Sequence, residues 1–158
     1  MSNADVTVHR VSAVPVAVVR RRAKPAEFSR VVPECCGIVW NALRAQHAQG
    51  GRHVAIYLGA EDRLEVGAEL VGPFIEQGDV VCSATPSGAV ASLTHFGPYN
   101  TLGAAHEAIR EWCRRNGHAL AGPSWEVYGH WQEAWNHDPS KIRTDVFYLV
   151  GAASVSTA

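Results

Sequence analysis

The segment Trp125-Glu126-Val127-Tyr128 sets a carboxylate among aromatic and apolar neighbours. Read as a strand, it puts Glu126 and Tyr128 on one face and Trp125 and Val127 on the other. Glutamate is a poor strand former, so its presence here asks for a use. A carboxylate walled by rings attracts a cation, and each ring face adds about 0.5–2 kcal/mol of cation–π energy. The same group can move a proton during a reaction. An exposed, solvated strand glutamate has the same local sequence, so the pattern alone leaves both readings open. Tyr99 follows Gly97-Pro98 at a strand-to-helix turn, from which a phenol can point into a groove. Of the five tryptophans, Trp40 and Trp112 fall on helices, where core packing competes with ligand stacking. Trp131 and Trp135 fall in or beside a loop, where a large ring needs a lid role or a partner.

Other chemistries find less support. The eight histidines include no pair at helical metal-binding spacing, so no metal is expected. His95 and His106 read as structural histidines. Cys35, Cys36, Cys82 and Cys113 form no C-x-x-C pair and read as reduced thiols. There is no nucleophile elbow, no phosphate-binding loop and no G-x-G-x-x-G. No cofactor is expected.

These side chains must be carried by strands and helices. Val6 to Arg22 is rich in valine and reads as extended. Ser29 to Gln49 reads as a helix with Cys35, Val39, Ala42 and Gln46 on one stripe. Pro33 is expected in its first turn, where a missing N–H costs nothing. Arg52 to Leu58 and Arg63 to Val71 read as a strand pair. Gly88 to Phe96 reads as a strand and Thr101 to Asn116 as a helix after an Asn100 cap. Trp125 to Trp131 and Thr144 to Val150 read as the closing strands. Trp40 precedes Tyr57 by 17 residues and Trp112 precedes Tyr128 by 16, in matching element order. The expectation is an α+β fold of duplicated β-α-β-β units with pseudo-twofold symmetry. It has an antiparallel sheet, two main helices and a ligand groove between the halves. The first repeat covers about 6–72 and the second about 88–150, within one domain spanning 1–158.

Charge narrows the partners. The chain has 158 residues, with 14 Lys plus Arg against 15 Asp plus Glu, a net charge of -1. Nucleic-acid binding normally needs a basic excess, so none is expected. No apolar run is long enough to span a bilayer, and the N-terminus has no leader pattern. The expected setting is cytoplasmic.

Four further stretches carry a resemblance. They are His95-Phe96-Gly97-Pro98-Tyr99, Trp112 to Gly117, Ala121 to Tyr128, and Thr144 to Tyr148. With Glu65 to Leu70 and Pro86-Ser87-Gly88, they resemble the GyrI-like effector-binding domain of bacterial AraC- and MerR-type regulators. The resemblance covers about Val6 to Val150. It implies a domain that binds aromatic, amphipathic or cationic small molecules. The family's pocket glutamate falls on Glu126 and its tyrosines on Tyr99 and Tyr128. Trp40, Tyr57, Trp112, Trp131 and Phe147 are the expected further lining residues. Leu149 departs from the family's usual proline. No helix-turn-helix accompanies the domain here, so the expectation is a stand-alone binder that does not touch DNA itself. The alternative is a hydrolase of cyclopropane-containing alkylating compounds, with Glu126 activating water and Tyr99 polarising the substrate. A homodimer is carried as a further expectation. A protein-partner role such as inhibition of gyrase is a third hypothesis, and nothing in the sequence marks an interface for it.

Overall fold

The computed structural model describes residues 5–151. Its strands are β1 (Thr7–Val11), β2 (Pro15–Arg22), β3 (Gly50–Tyr57), β4 (Arg63–Leu70), β5 (Val80–Ala84), β6 (Gly88–Phe96), β7 (Leu120–Tyr128) and β8 (Arg143–Val150). The helices are α1 (Phe28–Ala45), α2 (Leu102–Arg115) and the short α3 (Ala134–His137). The fold is α+β. Among the described residues no helix is long and apolar enough to cross a membrane.

The chain divides into two compact units. One is Ala13–Pro86, and the other joins the segment up to Ser12 with the chain from Ser87 onward. Both are antiparallel with equivalent strand orders, β5-β2-β4-β3 in the first and β1-β6-β8-β7 in the second, although the edge strand ends the first unit and begins the second. The sequence places β1 in the first repeat, but β1 pairs with β6, Val8 opposite Ala91. Burial of Val6 in the second unit's core ties that segment down. β5, a five-residue strand absent from the sequence reading, extends the first unit on β2.

Each helix buries one stripe on its sheet. In α1 these are Val31, Cys35, Val39, Ala42 and Leu43. In α2 they are Leu102, Ala105, Ala108, Ile109 and Cys113. Both sets follow the 3.6-residue period. α1 starts earlier than its proline suggests, so Pro33 lies inside the helix rather than in its first turn. A single 3₁₀ turn over Pro25–Glu27 precedes α1, with the Glu27 carboxylate accepting from the Lys24 N–H at 2.9 Å. Phe28 then packs on Tyr57 with ring centroids 4.9 Å apart. β7 also starts earlier than expected and carries Gly122-Pro123 through a register shift between Leu120 and Ser124. A bulge is where a strand tolerates proline.

The duplication holds rung for rung. Tyr57, Ala55 and His53 of β3 face Leu64, Val66 and Ala68 of β4. Tyr128, Glu126 and Ser124 of β7 face Thr144, Val146 and Tyr148 of β8. The helices align through their C-terminal turns. The Ala48 N–H bonds the Leu43 carbonyl and the His118 N–H bonds the Cys113 carbonyl, each at 2.9 Å. Leu43 therefore corresponds to Cys113, and Trp40 corresponds to Arg110. The two helical tryptophans that suggested the repeat are not counterparts, whereas Tyr57 and Tyr128 are.

The same caps yield a prediction. The left-handed position is glycine in one unit, Gly117 at φ 75°, and histidine in the other, His47 at φ 53°. A side chain in that conformation costs about 1–2 kcal/mol, partly offset by the backbone entropy of glycine. His47 is exposed, so His47→Gly loses little packing. The expected gain is about 0.5–1 kcal/mol, read as a rise of about 1–4 °C in thermal unfolding. A lower midpoint contradicts the strain argument.

Candidate functional site

Strand phase puts Ser124, Glu126 and Tyr128 on the face of β7 shared with Tyr148, Val146 and Thr144 of β8. This is the face that α2 covers, because Ile109 and Cys113 join Val146 and Tyr148 in one core cluster. Glu126 is 5% exposed. The Tyr128 hydroxyl donates to its Oε1. His106 Nε2 lies 2.6 Å from its Oε2. His106 Nδ1 is 2.7 Å from the Tyr148 hydroxyl, and that hydroxyl oxygen accepts from Arg110 Nη1 at 2.8 Å. Tyr128, Glu126, His106, Tyr148 and Arg110 thus form one hydrogen-bonded chain running from β7 through α2 to β8. It can hold a buried carboxylate in one orientation, and it can transfer a proton to or from it.

The turn after β6 brings in Tyr99. Gly97 has φ 145°, and a Cβ there would meet Thr101 Oγ1 at 3.1 Å and His95 Nε2 at 3.2 Å. The Thr101 hydroxyl donates to the Pro98 carbonyl at 2.6 Å, and His95 Nε2 lies 2.8 Å from Thr101 Oγ1. Burial lowers the pKa of His95 from its ordinary value. The Tyr99 ring meets Tyr128 edge to face at 5.6 Å.

Of the expected site residues, the structure sets Tyr128 against Glu126 and Tyr99 against Tyr128. Trp112 is half-buried against the same unit's core and stacks on His118 at 5.3 Å. Trp131 is exposed and meets the buried Trp135 edge on at 5.3 Å. Phe147 departs from expectation: it faces Trp125 across the ladder and stacks on it at 5.1 Å, on the sheet face opposite Glu126. The expected lining residues Trp40 and Tyr57 lie in the other unit, Trp40 edge on to His53 and Tyr57 against Phe28. Sequence reasoning reads His106 as structural and assigns no site role to Arg110, Tyr148 or Ser124. The available signal was His106 lying four residues after Leu102 and three before Ile109, a polar residue on the core stripe.

Tyr148 carries a pH prediction. Burial pushes its phenol above the ordinary value of 10.0, with Arg110 pulling the other way. Above the unfolded phenol's pKa, the unfolded state gives up a proton that the folded state retains. The contribution is therefore fully present below about pH 10 and is lost as pH rises through the folded value. Chemical denaturation between pH 9 and 11 is expected to show a steeper loss for the wild type than for Tyr148→Phe. Equal slopes count against it.

The fold is a duplicated α+β domain. The sequence matches the GyrI-like small molecule binding domain over residues 4–150, and the chain belongs to that family. It is similar in structure to the C-terminal domain of EcmrR, with 18% identity, a TM-score of 0.75, and coverage of 94% of this chain and 98% of that one. It is similar to SAV2435, solved bound to tetraphenylphosphonium, with 10% identity, a TM-score of 0.63, and coverage of 93% and 94%. It is also similar to a hydrolase encoded by lin2189 from Listeria innocua, with 11% identity, a TM-score of 0.60, and coverage of 93% and 92%. At these identities the likeness is one of fold. A search of curated proteins finds no match.

Proposed function

We propose that the protein binds hydrophobic aromatic cations at Glu126 and Tyr128. The observation that carries this reading is the burial of Glu126 on the helix-covered face of its sheet, 5% exposed. A buried carboxylate costs several kcal/mol of desolvation unless its charge is met. Its counterpart in the other unit is Ala55, so the fold can be built without it. A phenol and an imidazole hold the carboxylate through both oxygens, and its negative charge attracts a ligand cation. The tyrosine rings of Tyr99 and Tyr128 offer apolar and π surface beside it. Likeness to SAV2435, which was solved with an aromatic phosphonium ion, supports the ligand class.

A second reading is hydrolysis of a strained electrophile such as a cyclopropane-bearing aromatic compound. It is favoured by the phenol–carboxylate–imidazole chain and by likeness to the Listeria innocua hydrolase. Glu126 takes the proton of an attacking water, a C–O bond forms and a strained C–C bond breaks. The phenol of Tyr99 or Tyr128 hydrogen-bonds the carbonyl oxygen that receives the electron pair.

Tryptophan fluorescence titration with tetraphenylphosphonium chloride and with neutral triphenylphosphine oxide tests the first reading. Saturable quenching by the cation and weak response to the neutral compound are expected. Equal response to both overturns it. Mass analysis of cyclopropane-bearing electrophiles for the gain of one water tests the second.

A further inference from the structure

We infer that Arg110, Tyr148 and His106 form a positioning arm that sets the tautomer of His106 and, through it, the orientation of Glu126 toward its ligand. The inference rests on the reading of Glu126 as the ligand's carboxylate. A guanidinium has donors and no acceptor, so Arg110 Nη1 donates to the Tyr148 oxygen, 2.8 Å away. The one proton of Tyr148 then points to His106 Nδ1, 2.7 Å away. A neutral imidazole that accepts at Nδ1 carries its proton on Nε2. Nε2–H therefore donates to Glu126 Oε2 across 2.6 Å. Tyr128 donates to the other carboxylate oxygen, so the carboxylate is held through both oxygens. His106 and Arg110 stand four residues apart on α2, so the helix sets their spacing.

The other unit serves as an internal control. With the helices aligned by their C-terminal turns, Arg110 and His106 correspond to Trp40 and Cys36. By ladder register, Tyr148 and Glu126 correspond to Ala68 and Ala55. An equivalent strand order is built there with none of the four polar groups. The arm therefore accompanies Glu126 and is not a requirement of the fold.

The test uses the full chain, tetraphenylphosphonium chloride as probe, and ¹⁵N spectra of the histidine rings. The wild-type spectrum is expected to show His106 protonated at Nε2 and bare at Nδ1, and Tyr148→Phe to show a mixture of tautomers. His106→Leu is expected to weaken probe binding about tenfold or more. His106→Gln, which keeps an N–H donor near the same place, is expected to stay within about threefold of the wild type. A wild-type proton on Nδ1 overturns the inference. So does wild-type binding by His106→Leu when Glu126→Gln has lost it. If Glu126→Gln binds as the wild type does, the functional reading falls instead, and the ring spectra judge the arm by themselves. Should His106→Leu fail to fold, the spectra of the wild type and Tyr148→Phe decide.

Discussion

Glu126→Gln is expected to weaken binding of tetraphenylphosphonium by about 1–3 kcal/mol, the range for losing a charged hydrogen-bonding partner. Glutamine preserves the shape of the side chain and removes its charge. Its amide oxygen still accepts from His106, and its amide nitrogen can donate to the Tyr128 oxygen. The folded protein is expected to keep its stability or gain by up to about 1 kcal/mol, because functional carboxylates are often held at a stability cost. Affinity and stability therefore move in different directions, which separates a functional glutamate from a structural one. If the protein hydrolyses its ligand, turnover is expected to fall by about 10²-fold or more, while affinity for a neutral substrate changes little. Calorimetric titration and thermal unfolding of the same preparation read both quantities. Unchanged binding and turnover in the variant would return Glu126 to the role of a bland strand residue.

Gly67→Ala is expected to be the most damaging single-methyl change in the chain's first unit. Gly67 lies on β4 between Val18 of β2 and Val54 of β3. A Cβ there falls 1.8 Å from the Ala17 carbonyl oxygen and 2.8 Å from Val18 Cα. Both are backbone atoms of a buried strand, so no side chain can swing aside to make room. Overpacking of this kind reaches about 3 kcal/mol or more. For a chain of this length that is a drop of about 6–12 °C in the unfolding midpoint. It is also a large share of a typical total stability of about 5–15 kcal/mol, so low soluble yield is part of the expected result. A midpoint within about 2 °C of the wild type would mean that β2 and β4 separate more easily than their register implies. Gly72→Ala is the matched control, since a Cβ there meets nothing within 4 Å.

Where an element's evidence is local, the sequence was enough. The strand over Gly88 to Phe96 is bounded by Gly88 and by Gly97-Pro98, and it occurs as read. The helix after it was legible from Leu102, Ala105 and Ile109, which recur at the helical period and are buried. Period-two alternation by itself places Glu126 and Tyr128 on one face, and the ladder has them there. The resemblance of the second half's motifs implies the family to which the chain belongs. Pro33 misled because its fixed φ suits a helix start in general, whereas here the packing of Phe28 on Tyr57 and the turn before it begin the helix earlier.

What the sequence could not decide were pairings between distant segments. β1 reads as the start of the first repeat, yet it belongs with β6, because hydrogen-bonding edges are chosen by the folded sheet and not by chain order. Tyr57 and Tyr128 are counterparts and Trp40 and Trp112 are not, a distinction visible only once both helix ends and both ladders are in register. Phe147 differs from Val146 by one position, and that single step moves it to the face of Trp125 and away from Glu126. The chain from Arg110 through Tyr148 and His106 to Glu126 joins residues from one helix and two strands. Sequence alone determined that a carboxylate and a tyrosine share a strand face in a duplicated α+β domain. Only tertiary structure decided what holds that carboxylate, because hydrogen bonds of 2.6–2.8 Å depend on how α2 docks on β7 and β8, and no local periodicity encodes that docking.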